Sequence, residues 1–142
     1  MTPAFIAAVL DTLLPGEVSP PAGERALPPA SRTGIDAAAL AGAHPEAFPF
    51  IAEAAGGEAA FVAASPALRG RTLTEVEQGP HATAFKAMVA DVLQDYYATE
   101  SVLDAMGWRR GPPQPLGHRV PATDDATWQR LERVKQRDRL WR

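Results

Sequence analysis

Residues 80–98 read PHATAFKAMVADVLQDYYA. Phe85, Met88, Val89, Val92, Leu93 and Tyr96 recur at i, i+3, i+4, i+7, i+8 and i+11. That spacing lines apolar side chains along one face of an α-helix. Gly79–Pro80 punctuates the chain before it, and Thr99, a capping residue type, follows it. The stretch predicts the central core helix, with Tyr96 continuing the apolar face. Tyr97 is its chain neighbour and cannot share that face, so it is a candidate for an exposed, interfacial role.

Reading outward, Thr99 opens a short helix over 100–106, with Val102, Leu103 and Met106 inward and Gly107 as its C′ residue. Toward the N-terminus, Pro3 suits the first position of a helix over 3–14. Phe5, Ile6, Val9, Leu10, Leu13 and Leu14 share one face of it, and Pro15–Gly16 ends it. Residues 17–29, EVSPPAGERALPP, hold four prolines and predict an extended surface run with few internal hydrogen bonds.

The Ala-rich middle predicts several short helices. Asp36 caps one through Leu40 and Ala43. Pro45 opens another through Phe48, Ile51 and Ala55, stopped by Gly56–Gly57, and a third covers 58–64. Ser65–Pro66 restarts a turn. Thr72 then caps a helix carrying Leu73 and Val76, with Glu75 at its third position. The fold class is all-α: a small irregular helical body over 1–107, followed over 108–142 by a Pro-rich extended arm and a short terminal helix.

The pattern changes at Trp108. Residues 108–125, WRRGPPQPLGHRVPATDD, have no periodicity and four prolines. Structureless segments longer than about 12–15 residues are usually functional in a compact domain. Thr123 or Asp124 caps a last helix over 125–136, with Trp128, Leu131 and Val134 on one side. The chain closes on Arg139–Leu140–Trp141–Arg142, an apolar ending where chain ends are normally polar.

Charge divides at the same place. Residues 1–107 carry five Lys/Arg against thirteen Asp/Glu, a net −8, and residues 108–142 carry nine against four, a net +5. The basic residues are nearly all Arg, interleaved with Trp and Pro. Arg and Trp are enriched at protein interfaces and Lys is depleted, so the arm points to a protein partner and not to nucleic acid. The candidate partner contacts are Tyr97, Trp108, Arg109, Arg110, Pro112, Pro113, Pro115, Leu116, His118, Leu140 and Trp141.

Alanine is abundant and β-branched residues are sparse, which favours helix. There is no cysteine, so disulfide and thiolate chemistry are excluded. No apolar stretch approaches the roughly 20 residues of a membrane span. No charged and apolar leader or twin-arginine pair opens the sequence, so the expectation is a cytoplasmic protein, or a periplasmic one if a signal has been removed.

A catalytic centre is not evident. His44, His81 and His118 fall in no HxxxH, HExxH or His/Cys cluster. No phosphate-cradling glycine loop or nucleophile elbow is present. The chain is expected to supply no catalytic, cofactor-binding or metal-binding residue and to be no enzyme by itself.

Five segments together resemble a known family: VLDTLLPGE (9–17), DYY (95–97), VLDAMGW (102–108), PPQPLGH (112–118) and LERVKQRDRLWR (131–142). They resemble the gluconate 2-dehydrogenase subunit 3 family, small subunits of FAD-dependent sugar and sugar-acid dehydrogenases. The resemblance implies a non-catalytic, mainly helical subunit that binds and stabilises a large flavoprotein. That partner, of the glucose–methanol–choline (GMC) class, carries the FAD and the catalytic residues, and a cytochrome c subunit often completes the complex. Many relatives begin with a twin-arginine signal, which this sequence lacks. The alternative reading is a stand-alone helical adaptor that binds protein or nucleic acid through its basic tail.

Overall fold

The structure is a computed structural model that describes residues 1–20, 22, 25–108 and 123–135. Among the described residues there are eight α-helices, a 3-10 turn at Ala30–Arg32 and no strand. The chain divides into two compact units, Met1–Arg109 and Arg110–Arg142. The first holds α1 (Pro3–Leu13), α2 (Ala37–Ala43), α3 (Ala47–Ala54), α4 (Glu58–Ala63), α5 (Pro66–Gln78), α6 (Ala82–Ala98) and α7 (Glu100–Ala105); the second holds α8 (Asp125–Lys135).

Local chemistry sets most helix ends. Thr2 caps α1, its hydroxyl accepting from the Phe5 amide, and Pro3 fills the first turn, where a missing N–H costs nothing. Asp36 Oδ1 accepts from the amides of Ala38 and Ala39, both at 3.0 Å, and starts α2. Pro49 lies in the first turn of α3, where a proline is tolerated. Gly56 adopts a positive φ of 77° and closes α3. The Gly57 and Gly56 amides donate back to the carbonyls of Ala52 and Glu53. Thr2 also anchors α4: its amide and hydroxyl both donate to Glu58 Oε2 at 2.7 Å. Those bonds, the amide's first, hold the Glu58 carboxyl below its ordinary value.

One apolar core fills the first unit. Phe5, Val9, Phe48, Ile51, Met88 and Val102 are wholly buried in it. Phe5 meets Phe61 edge-on at 5.5 Å and Phe48 at 6.4 Å between ring centres. These edge-to-face contacts, a favoured aromatic geometry, join α1, α3 and α4. From α6 come Phe85, Met88, Val92 and Tyr96, the expected stripe minus Val89 and Leu93. Leu93 is exposed because it lies about 100° round the helix from Val92, beyond the width of the buried face. Val89 is only partly buried. On α7, Val102 is inward as expected, but Met106 is exposed: the helix ends at Ala105, so Met106 is its cap.

One other expectation is corrected. Thr72 caps nothing. The helix already begins at Ser65, whose hydroxyl accepts from the Leu68 amide with Pro66 in the first turn. Thr72 is buried in the middle of α5, its hydroxyl donating to the Leu68 carbonyl. Residues 17–29, expected to run extended with few internal bonds, form no helix or strand where described, and they are clasped at their neck. The Glu17 amide donates to the Leu27 carbonyl at 2.9 Å, and the Leu27 amide to Glu17 Oε2 at 3.2 Å. The Ala30 amide reaches the Leu14 carbonyl at 3.0 Å, and Ser31 is held by both oxygens of Asp11.

Tyr96 completes the clasp. Its hydroxyl donates to the Pro28 carbonyl at 2.8 Å, 68 positions away in sequence. Burial raises its pKa above the ordinary tyrosine value, with smaller contributions from Tyr97 and Glu17. The folded state therefore favours the neutral phenol. The associated stability is fully present below the ordinary tyrosine pKa and is lost as pH rises through the raised one. Tyr96→Phe should cost about 1 kcal/mol at neutral pH, the worth of a typical hydrogen bond. It should also flatten the alkaline loss of stability above about pH 10. Urea midpoints measured against pH check both effects, and an unchanged alkaline slope in the variant would contradict the role given to Tyr96.

In the second unit, Asp124 caps α8, its Oδ1 accepting from the Thr127 amide at 2.7 Å. Hydrogen bonds from the Thr127 hydroxyl and amide lower the Asp124 pKa. The helix starts at Asp125, where the sequence placed it, and its last described residue is Lys135.

Candidate partner-binding surface

Of the eleven candidate contacts, Tyr97 and Trp108 fall on described residues. Arg109, Arg110, Pro112, Pro113, Pro115, Leu116, His118, Leu140 and Trp141 lie outside them. Tyr97 is 45% exposed and Trp108 is 64% exposed, both high for aromatic side chains.

Both are held on rigid backbone. The Tyr97 ring meets the buried Tyr96 ring edge-on at 5.2 Å and 87°. Tyr96 is itself fixed by its bond to Pro28, so Tyr97 is aimed from a locked helix end. Thr99 ends that helix, its hydroxyl donating back to the Tyr96 carbonyl at 2.8 Å. Trp108 follows a Schellman closure of α7. Gly107 sits at a positive φ of 70°. Its amide donates to the Asp104 carbonyl at 3.1 Å, and the Trp108 amide donates to the Leu103 carbonyl at 2.8 Å. The backbone of Trp108 is therefore anchored while its indole stands largely in solvent.

Leu93 precedes Tyr97 by one helical turn on the same flank of α6. With Met106 it adds two more exposed large apolar side chains to the end of α6 and the length of α7. Neither is a sequence candidate, because the periodicity reads both as core. Exposed apolar groups held on anchored backbone are what a protein-binding surface requires.

The remaining polar clusters have local explanations. His81 stands just before α6 and stacks flat on Phe50, 12° from parallel. The pair lines an open hollow of ≈ 280 Å³ with the exposed Glu53 and Glu75. His44 Nε2 pairs with Asp91 Oδ2 at 2.9 Å, joining the end of α2 to α6. From α5, Arg69 donates Nε to the Phe61 carbonyl at 2.9 Å and its terminal nitrogen to Val62, and its guanidinium lies over the Phe61 ring. It adds a side-chain donor to carbonyls in the last turn of α4. Among the described residues, no three His, Asp or Glu side chains gather as metal ligands would.

No family model, curated protein or solved structure matches the chain. Its own residues therefore carry the functional reading. No described helix is long and apolar enough to cross a membrane.

Proposed function

We propose that this chain is a non-catalytic small subunit that binds and stabilises the flavoprotein of an FAD-dependent sugar, glycoside or polyol dehydrogenase. The FAD and the reacting groups belong to that GMC-type partner, and a cytochrome c subunit can complete the complex. The family resemblance, to the gluconate 2-dehydrogenase subunit 3 proteins, is part of the same proposal.

One observation supports it above the others. The segments DYY and VLDAMGW each divide between core and surface. Tyr96 and Val102 are buried, whereas Tyr97, Met106 and Trp108 are exposed. Core packing accounts for the first pair and gives no reason for the other three to be large and apolar. A partner surface does give one, since Trp and Tyr are the residues that dominate binding energy at protein interfaces.

The test is affinity capture of the tagged chain from its own host cells, where a GMC-type flavoprotein should be the captured partner. The two should co-elute with flavin absorbance. Replacing Tyr97 and Trp108 together by Ala removes two anchors, each worth about 2 kcal/mol when central to an interface. The double variant should bind at least about 30-fold more weakly while its thermal melting stays close to that of the parent. Undiminished binding by the double variant would remove the observation on which the reading stands.

A further inference from the structure

Tyr96 joins two features that are far apart in sequence. It is buried, and its ring meets the exposed Tyr97 ring edge-on at 5.2 Å. Its hydroxyl donates to the Pro28 carbonyl at 2.8 Å. Pro28 belongs to the neck of the 17–29 loop, where the Glu17 and Ala30 amides donate to the Leu27 and Leu14 carbonyls. The surface residue Tyr97 and the neck therefore share one buried ring.

The bond at the phenolic oxygen holds the far end of that ring. While it is made, the ring cannot swing about its Cα–Cβ bond, and the edge-to-face contact with Tyr97 keeps its favoured geometry. When the neck opens and Pro28 moves away, the ring gains freedom and Tyr97 loses its backing. The neck is the kind of segment that opens locally. A few hydrogen bonds of modest net worth close it, and Glu17, Val18 and Arg25 are exposed. Gly16 permits the closure, since a Cβ there would lie 2.6 Å from the Pro29 nitrogen.

We infer that the neck is a latch on the Tyr97 contact: closure of the 17–29 loop and engagement of Tyr97 by the partner favour each other through the Tyr96 ring. This inference rests on the proposed function and adds to it a coupling between that contact and a loop outside it. Such coupling is reciprocal. A partner that binds better when the neck is closed must also hold the neck closed. The bond that transmits the coupling limits it to about fivefold, the worth of one hydrogen bond.

The experiment uses the full chain, alone and in complex with the GMC-type flavoprotein captured with it. Hydrogen exchange is followed at the Glu17, Leu27 and Ala30 amides. Binding should slow exchange there about fivefold. Tyr96→Phe keeps the ring and removes the bond. Its isolated chain should exchange faster at these amides, and binding should no longer slow them. Gly16→Ala, which props the neck open, should bind about fivefold more weakly. If wild type binds without slowing these amides, the inference falls and the proposed function stands. Equal slowing in the Tyr96→Phe complex also overturns it, because the protection then comes from a partner lying over the loop. Wild-type affinity in Gly16→Ala, with fast exchange at the neck, does the same. If no flavoprotein binds the wild-type chain, both fall.

Discussion

Phe5→Ala should lower the stability of the helical body by about 3–5 kcal/mol, the usual cost of emptying a buried phenylalanine site. The ring has no exposed surface and meets two others edge-on, Phe61 from α4 and Phe48 from α3. Each such pair adds about 0.5–1.5 kcal/mol beyond area burial, which places the expected loss toward the upper end. The site cannot collapse easily, because its walls come from three helices whose ends are fixed by Thr2 and by Gly56–Gly57. Domains of this kind have only about 5–15 kcal/mol to lose. Urea denaturation followed by far-UV circular dichroism checks the value. A loss below about 1 kcal/mol, nearer the range of a surface substitution, would mean that α1, α3 and α4 do not meet at Phe5.

Gly16→Ala should be nearly as damaging, although it adds one methyl group. Gly16 adopts a positive φ of 75°. A Cβ in that left-handed conformation costs about 1–2 kcal/mol. A Cβ there would also lie 2.6 Å from the Pro29 nitrogen and 2.7 Å from the Leu27 carbonyl oxygen. These are backbone atoms of the clasp and cannot swing aside, so the Glu17–Leu27 and Ala30–Leu14 bonds must lengthen or break. The total should be about 2–4 kcal/mol, from strain, overpacking and lost hydrogen bonds. Amide exchange at Glu17, Leu27 and Ala30 should rise with it. Unchanged protection at those amides would show that the neck of the loop is held some other way.

These two variants mark what the sequence does and does not make legible. The Phe5 face of α1 and the Phe85–Met88–Val92–Tyr96 stripe of α6 are readable because burial follows a helical period set by the chain itself. The Asp36 cap and the Gly107 closure are readable because each is satisfied within a few residues. The clasp at Gly16 is not, since it depends on Tyr96 reaching Pro28 across 68 positions. The Arg69 bonds to α4 and the His44–Asp91 pair escape for a similar reason, because their partners lie beyond the next few residues. Thr72 misleads because a hydroxyl residue before Leu73 has the pattern of a cap, while Ser65–Pro66 has already started the helix. Leu93 and Met106 read as core because periodicity counts apolar residues and does not know how wide the buried face is. That error is informative: both are exposed, as Tyr97 and Trp108 are.

The candidate surface is legible in part. The change of pattern at Trp108 and the departure of Tyr97 from the core face follow from spacing alone. Nine of the eleven candidate contacts lie outside the described residues, so the arm's role rests on composition and on the exposed residues that precede it.

Membership of a flavoprotein dehydrogenase is tested most directly by the mass and flavin spectrum of the complex. The tagged chain and the GMC-type flavoprotein captured with it would be co-expressed and measured by size-exclusion chromatography with light scattering and absorbance. The expected result is one species with the summed mass of both chains, oxidised-flavin absorbance, and dye-reducing activity that falls when this chain is omitted. Separate elution, with a flavoprotein equally abundant and active without this chain, would contradict it.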